Sequence, residues 1–253
     1  MLFDSHAHYD DPQFDSDRHS LLEAMRDANV SNILCCASSL SSAKACIALS
    51  EQYDFVYASA GVHPHVAKDF SPDDGVQFRS LLAHPKCIAV GEMGLDYNRN
   101  FSPREIQQKV FSYQLSLATV MDMPIIVHDR DAHADTLSML KNARCRGVVH
   151  CYSGSAEMAV QLVDLGYYIS FPGVITFPNA RRSHDVIRAI PIERLLIETD
   201  APYLSPVPHR GKRNDSRYLK HTCAALADIL GMSYAEAAAL TSDNARRCFG
   251  LEA

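Results

Sequence analysis

Eight short apolar runs rich in β-branched residues, each followed by a stretch of helix length, leave few folds open to this 253-residue chain. In order they are MLFDSHAH, NILCCAS, FVYASAGV, CIAVGE, PIIVH, GVVHC, YYISF and RLLIETD. Runs of this length bounded by turn residues read as strands. The segments between them, such as SDRHSLLEAMRDAN, SAKACIALSEQY, PREIQQKVFSYQLSLATVM and SAEMAVQLVDLG, carry apolar residues at helical spacing. Ser102-Pro103 before the fourth helix and Ser155 before the sixth are expected caps. Strands that alternate with helices pair in parallel through right-handed crossovers, and eight such units match an α/β fold of the (β/α)8 TIM-barrel type. The competing architecture, a doubly wound open sheet, lacks its usual nucleotide signatures here: neither G-x-G-x-x-G nor G-x-x-x-x-G-K-[ST] occurs. After Asp200 the loop APYLSPVPHRGKRNDSR leads into helical segments expected around 217–231, 233–242 and 243–249. No linker or repeat marks a boundary, so residues 1–253 are expected to form a single domain.

Barrels of this kind place their active sites at the C-terminal ends of the strands. Strand 1 ends on His6 and His8, strand 3 on His63, strand 4 on Glu92, strand 5 on His128, strand 6 on His150 and strand 8 on Asp200. Six of the eight runs thus finish on a residue type that ligates metals or moves protons, a clustering expected of a catalytic constellation. Along an extended strand Asp4, His6 and His8 share one face, which makes the two histidines expected ligands of one ion and Asp4 a group that orients an imidazole. Five histidines and two carboxylates exceed the needs of one four-coordinate ion, so two divalent cations about 3.5–4 Å apart are expected, with Glu92 bridging them. Imidazole donors favour Zn²⁺ or Mn²⁺, whereas Mg²⁺ prefers oxygen, and the sequence leaves the choice among the three open.

Composition narrows the partners. A net charge of −6 and a pI near 6.0 exclude a protein that coats nucleic acid by bulk electrostatics, so such a substrate needs a local basic patch. Arg210, Lys212, Arg213, Arg217 and Lys220 cluster after strand 8, with Arg181 and Arg182 after strand 7, where barrels often bind phosphate. Tyr97 and Tyr203 lie in strand-end loops from which they can stack on a base. The eight cysteines include no C-x-x-C pair, and Cys35, Cys36, Cys87 and Cys151 sit in or beside apolar runs, as buried free thiols of a reducing compartment do. No N-terminal signal region and no bilayer-length apolar run is present, so a soluble, cytoplasmic protein without membrane association or an obligate protein partner is expected.

The motifs DSHAH, GVHPH, VGEMGLDY, IIVHDR, VVHCYSG and IETDAPYL, in this order from Asp4 to the helices near Asn244, resemble the TatD-related metal-dependent deoxyribonucleases, a branch of the amidohydrolase superfamily. The resemblance implies a TIM barrel with one or two divalent cations that hydrolyses DNA, often as an exonuclease from the 3′ end. It further implies that His6, His8, Glu92 and Asp200 hold a first metal and Glu92, His128 and His150 a second. Asp200 would accept a proton from the attacking water, and His63 and Arg130 would contact phosphate. Where the family loop reads R-N-E-P, this chain has Arg213, Asn214, Asp215 and Ser216, a departure expected to bear on substrate preference rather than on metal chemistry.

The expected function is therefore metal-dependent hydrolysis of DNA at strand ends, on single strands, with Arg213, Arg130, His63 and Tyr97 binding substrate. The alternatives are hydrolysis of a small carbonyl compound or an aminoacyl-tRNA ester by the same metals, and a non-catalytic barrel that has kept its metal.

Overall fold

A computed structural model describes residues 1–251, the side chain of Pro72 apart. Each expected run is a strand: β1 Leu2–Ala7, β2 Val30–Cys35, β3 Val56–Ala60, β4 Cys87–Asp96, β5 Ile125–Arg130, β6 Gly147–Val149, β7 Tyr168–Phe171 and β8 Leu195–Ile197. The intervening helices are α1 Arg18–Glu23, α2 Leu40–Gln52, α3 Pro72–Leu82, α4 Arg104–Met121, α5 His133–Asn142, α6 Ala156–Asp164 and α7 Arg181–Ala189, followed after β8 by α8 Leu219–Leu230 and α9 Tyr234–Phe249. All seven consecutive strand pairs are parallel and form one eight-stranded sheet in sequence order. The barrel closes between β8 and β1 through two backbone bonds, Asp200 N–H to the His6 carbonyl (2.9 Å) and His8 N–H to the Ala201 carbonyl (2.7 Å). The TIM barrel is thus the fold, and no single helix among the described residues is long and apolar enough to cross a membrane.

The barrel interior holds Phe3, Leu34, Ile126, Val148 and Leu196, and α9 plugs its N-terminal end with Ala245, Cys248 and Phe249. Polar residues of α9 finish the plug: the Ser242 hydroxyl donates to the Met1 carbonyl and accepts from Phe3 N–H, and the Asn244 amide donates to the carbonyls of Ile192 and Leu195. These contacts explain why the expected break near residue 242 is absent. Thr241, Ser242, Asp243 and Asn244 look like a turn in sequence, but three of the four are buried and spend their hydrogen bonds on the helix or on the strand ends, so one 16-residue helix runs through.

Ser155 caps α6, accepting Met158 N–H at 3.3 Å, as expected. Ser102 does not cap α4; its hydroxyl instead donates to the His65 carbonyl and accepts Lys68 N–H, tying the loop after β3 to the start of α4. Two buried glutamines of α4 serve the same end of the barrel. Gln114 pairs through its amide with both N–H and C=O of Val62, and Gln107 does so with Asp96, so the loops bearing His63 and Asp96 are each held by a two-bond clamp. Cys35, Cys36 and Cys87 are buried free thiols, and Cys151 is partly buried.

Candidate metal centre

Glu92 stands at the middle of the C-terminal mouth, and its approach depends on glycine. Gly91 has φ +147°, and a Cβ there would lie 2.8 Å from the Ile126 carbonyl oxygen; a Cβ on Gly61 of the neighbouring loop would lie 2.5 Å from the Gly91 Cα. The end of β3 can come this close to β4 because Gly61 carries no side chain, and β4 can come this close to β5 because Gly91 carries none. Glu92 is thereby held with its two oxygens facing different groups. Oε2 lies 3.3 Å from His6 Nε2 and 3.6 Å from His8 Nε2. Oε1 lies 2.8 Å from His150 Nε2, 3.0 Å from His128 Nδ1 and 3.4 Å from His63 Nε2.

The first group is completed by Asp200 Oδ1, 3.8 Å from His6 Nε2 and 3.4 Å from His8 Nε2, and the two histidine nitrogens are 3.2 Å apart. A tetrahedral ion with bonds of about 2.1 Å separates its ligands by about 3.4 Å, and the distances from the two histidine nitrogens to each other and to the carboxylate oxygens run from 3.2 to 3.8 Å. Tautomers fit the same purpose. His8 Nδ1 sits 2.8 Å from the Cys36 carbonyl, which takes its N–H and leaves the Nε2 lone pair facing the group. His128 Nε2 faces Asp96 Oδ2 at 3.4 Å, leaving Nδ1 for the second group. His63 is different: its Nδ1 accepts the His65 N–H at 3.1 Å, so in the neutral ring Nε2 is a donor. Burial holds the His63 ring neutral, pushing its pKa down to about 4.

Charge in the cluster is arranged as for a cation. Burial alone would raise Glu92, but His150, His63, His6 and the His128 hydrogen bond outweigh it and hold the carboxyl well below its usual range. Asp200 is likewise lowered, burial being outweighed first by His8. Burial disfavours a proton on His8, yet its bond to Asp200 and the charges of Glu92 and Asp200 pull its pKa up to about 10. Protons on imidazoles here balance the carboxylates, and metal binding releases such protons. The donor set therefore fits divalent cations. Asp200 has φ +56°, a left-handed conformation that Asp tolerates better than most residues, and strain of this kind gathers at functional sites.

Asp4 departs from its expected role. The register between β1 and β2 shifts between Asp4 and Ala7, which breaks the alternation, so Asp4 does not share a face with the histidines. Its buried carboxyl accepts Thr199 N–H and hydroxyl and the Ser216 hydroxyl, and burial raises its pKa to about 6 despite these bonds. Ser216 also exchanges two bonds with the Tyr9 hydroxyl, one through its N–H and one through its Oγ, and a proline at this position can make neither. Asp215 engages Arg217 with both oxygens. The departure from R-N-E-P thus lies in buried bracing behind β1 and β8, away from the cleft.

Above the carboxylates opens a cleft of about 1150 Å³, with Glu92, His63, His128, His150, Asp200 and Arg130 in its lining. Of the basic residues expected to meet substrate, only Arg130 and Arg182 line it, joined by Arg99. Arg213 lies elsewhere: its guanidinium is paired with Asp17, donates to the Gln13 carbonyl and covers the Phe14 ring. Tyr97 is also outside, its ring beneath Arg104 and its hydroxyl bound to Asp135. The exposed aromatic side chains at the cleft are Tyr203, as expected, 48% exposed, and Phe101, 55% exposed, while Tyr152 lines it from a buried position. Sequence reasoning overlooked Phe101 and Arg99, which follow β4, and two buried carboxylates: Asp96, four residues after Glu92 on the same long strand, and Glu198, two residues before Asp200. Asp96 accepts from His65 and His128 and from two backbone N–H groups; these bonds outweigh burial and hold it well below its ordinary range.

Compared with known proteins, residues 3–250 match the family model of TatD related DNase. The chain belongs to this family. The TatD relatives include the uncharacterized metal-dependent hydrolase YabD of Bacillus subtilis (strain 168), 40% identical over 98% of this chain and 99% of that protein. The 3′-5′ ssDNA/RNA exonuclease TatD of Klebsiella pneumoniae (strain 342) is 35% identical over 99% of this chain and 98% of its own length. Among solved structures, the TatD homolog YjjV of Escherichia coli K12 superposes with a TM-score of 0.93 at 33% identity, covering 99% of this chain and 98% of its own. The chain is thus a metal-dependent hydrolase of the TatD family, and the metal its relatives require has donors waiting at Glu92.

Proposed function

We propose that the protein removes nucleotides from the 3′ ends of single-stranded nucleic acid by hydrolysing phosphodiester bonds with two divalent cations. The observation that carries this reading is the division of Glu92 between two donor groups at the floor of a cleft that also presents Arg99, Arg130 and Arg182. In this reading His6, His8, Glu92 and Asp200 hold one cation, and Glu92, His128 and His150 hold the other. A cation pair held by these residues would lower the pKa of a water towards about 7 and would stabilise the attacking and leaving oxygens of a phosphodiester displacement. Asp200 faces the cleft and accepts the proton of the attacking water through its carboxylate. His63, neutral with Nε2–H available, donates to a phosphate oxygen, and Arg130 offers a planar two-donor contact to the same group. Phe101 and Tyr203 at the rim provide ring faces for unpaired bases, which suits a single strand. The Klebsiella relative, named for 3′-5′ activity on single-stranded DNA and RNA, supports the polarity and the substrate class.

The test uses metal-stripped protein reloaded separately with Mg²⁺, Mn²⁺ and Zn²⁺ and given 5′-labelled single-stranded DNA and RNA oligonucleotides. The expected result is a ladder that shortens stepwise from the 3′ end with at least one ion. In the same assay Arg182→Ala should raise KM about 10-fold with kcat within twofold, and the difference should shrink as salt rises. Absence of any ladder with all three ions would overturn the nuclease reading and pass the site to an ester such as an aminoacyl-tRNA.

A further inference from the structure

Glu198 is fully buried at the end of β8, yet none of the roles given above employs it. Its Oε1 accepts the Cys151 N–H at 2.8 Å and lies 3.4 Å from His150 Nδ1. Its Oε2 has no partner, and neither has the Nδ1 of His6 or of His150. The His6 and His150 rings are stacked, with centroids 3.9 Å apart and planes within 7°. A ligating atom of each ring and a Glu198 oxygen lie within 4.8 Å of one another. A buried carboxylate with an unused oxygen therefore sits beside two imidazoles whose Nε2 atoms both face Glu92, one on each of its oxygens.

We propose that Glu198 is a positioning residue shared by both cation sites, taking the Nδ1–H of His150 and of His6 so that both Nε2 lone pairs point to the metals. This rests on the dinuclear reading above. An imidazole ligates through one nitrogen only when the other keeps its proton, and a carboxylate on that N–H fixes the tautomer and makes the ligand more basic. His8 and His128 have acceptors of their own in the Cys36 carbonyl and Asp96. The Nδ1 atoms of His6 and His150 have no hydrogen-bond partner, and Glu198 is the carboxylate that lies beside both rings. Where Glu92 links the two cations from the cleft side, Glu198 links their ligands from behind. The backbone supports this placement, since the Cys151 N–H fixes Oε1 next to His150.

The discriminating feature is that one substitution behind the site weakens both ions. Mn²⁺ binding would be titrated calorimetrically on metal-stripped wild type, Glu198→Gln, Glu198→Asp and His128→Ala, with bound manganese counted by mass spectrometry. Wild type should bind two ions, and a wild type that binds fewer would sink the dinuclear reading itself, independently of Glu198. Glu198→Gln keeps shape and removes charge, and should weaken both sites by about 10–100-fold, the effect usual for such outer carboxylates. His128→Ala should weaken one site only. In ¹⁵N spectra of the metal-loaded protein, the wild-type His6 and His150 rings should show protonated Nδ1, and Glu198→Asp should restore part of the affinity lost in Glu198→Gln. Both affinities within twofold of wild type, or loss confined to a single site, would overturn the proposal. A variant whose melting in the metal-free state falls far below wild type is set aside in favour of the other Glu198 substitution.

Discussion

Replacing Glu92 by glutamine should reduce turnover by about 10³-fold and leave fewer than one cation bound per chain. The carboxylate supplies one oxygen to each donor group. Glutamine offers a neutral oxygen to one group and an N–H donor to the other, which repels a cation where Oε1 or Oε2 attracts one. A 10³-fold loss corresponds to about 4 kcal/mol of transition-state stabilisation, within what a metal pair contributes to a displacement at phosphorus. The measurement is kcat with a single-stranded oligonucleotide together with bound metal counted after gel filtration. A variant that keeps both cations and turns over within tenfold of wild type would remove Glu92 from the bridging role.

Asp200→Asn should separate binding from proton transfer. Asparagine retains an oxygen near His6 and His8 and adopts the left-handed backbone at this position as readily as aspartate, so the loop should keep its course. What it lacks is basicity. At saturating Mn²⁺ the variant should carry close to two ions, bind oligonucleotide with nearly unchanged affinity, and cleave about 10²–10⁴-fold more slowly, the range for loss of a general base. Single-turnover kinetics read this directly, because they exclude product release. Cleavage at the wild-type rate would require another group to accept the proton.

Much of the site was legible because the histidines and Asp200 lie at or just beyond strand ends, which converge in a closed barrel wherever they lie in sequence; Glu92 instead stands midway along β4, which runs on to Asp96 rather than ending where the sequence suggested. His6, His8, His63, His128, His150 and Asp200 meet around Glu92 because of that convergence. Asp4 was misjudged because strict alternation fails at the register shift in β1, which local sequence does not reveal. Glu198 and Asp96 escaped because they share strands with stronger candidates, and their partners are imidazoles from other strands. The basic cluster after β8 was read as one surface, yet its members turn to different neighbours: Arg213 to Asp17, Arg217 to Asp215 and Arg210 to the face of Phe177. Side-chain direction in a long loop is decided by tertiary partners, which charge counting cannot supply.

The two backbone bonds that join Asp200 to His6 and Ala201 to His8 are the seam between the last strand of the barrel and the first. The ligands of the first cation group stand astride that seam, His6 and His8 on one side and Asp200 on the other. A divalent ion held there would act as a clasp: it would tie together segments separated by almost the entire barrel, as a disulfide across a long loop does, and it would bind only the folded arrangement. The availability of metal would then govern how firmly the cylinder stays shut, and a chelator should loosen the ends of β1 and β8 before any other part of the sheet.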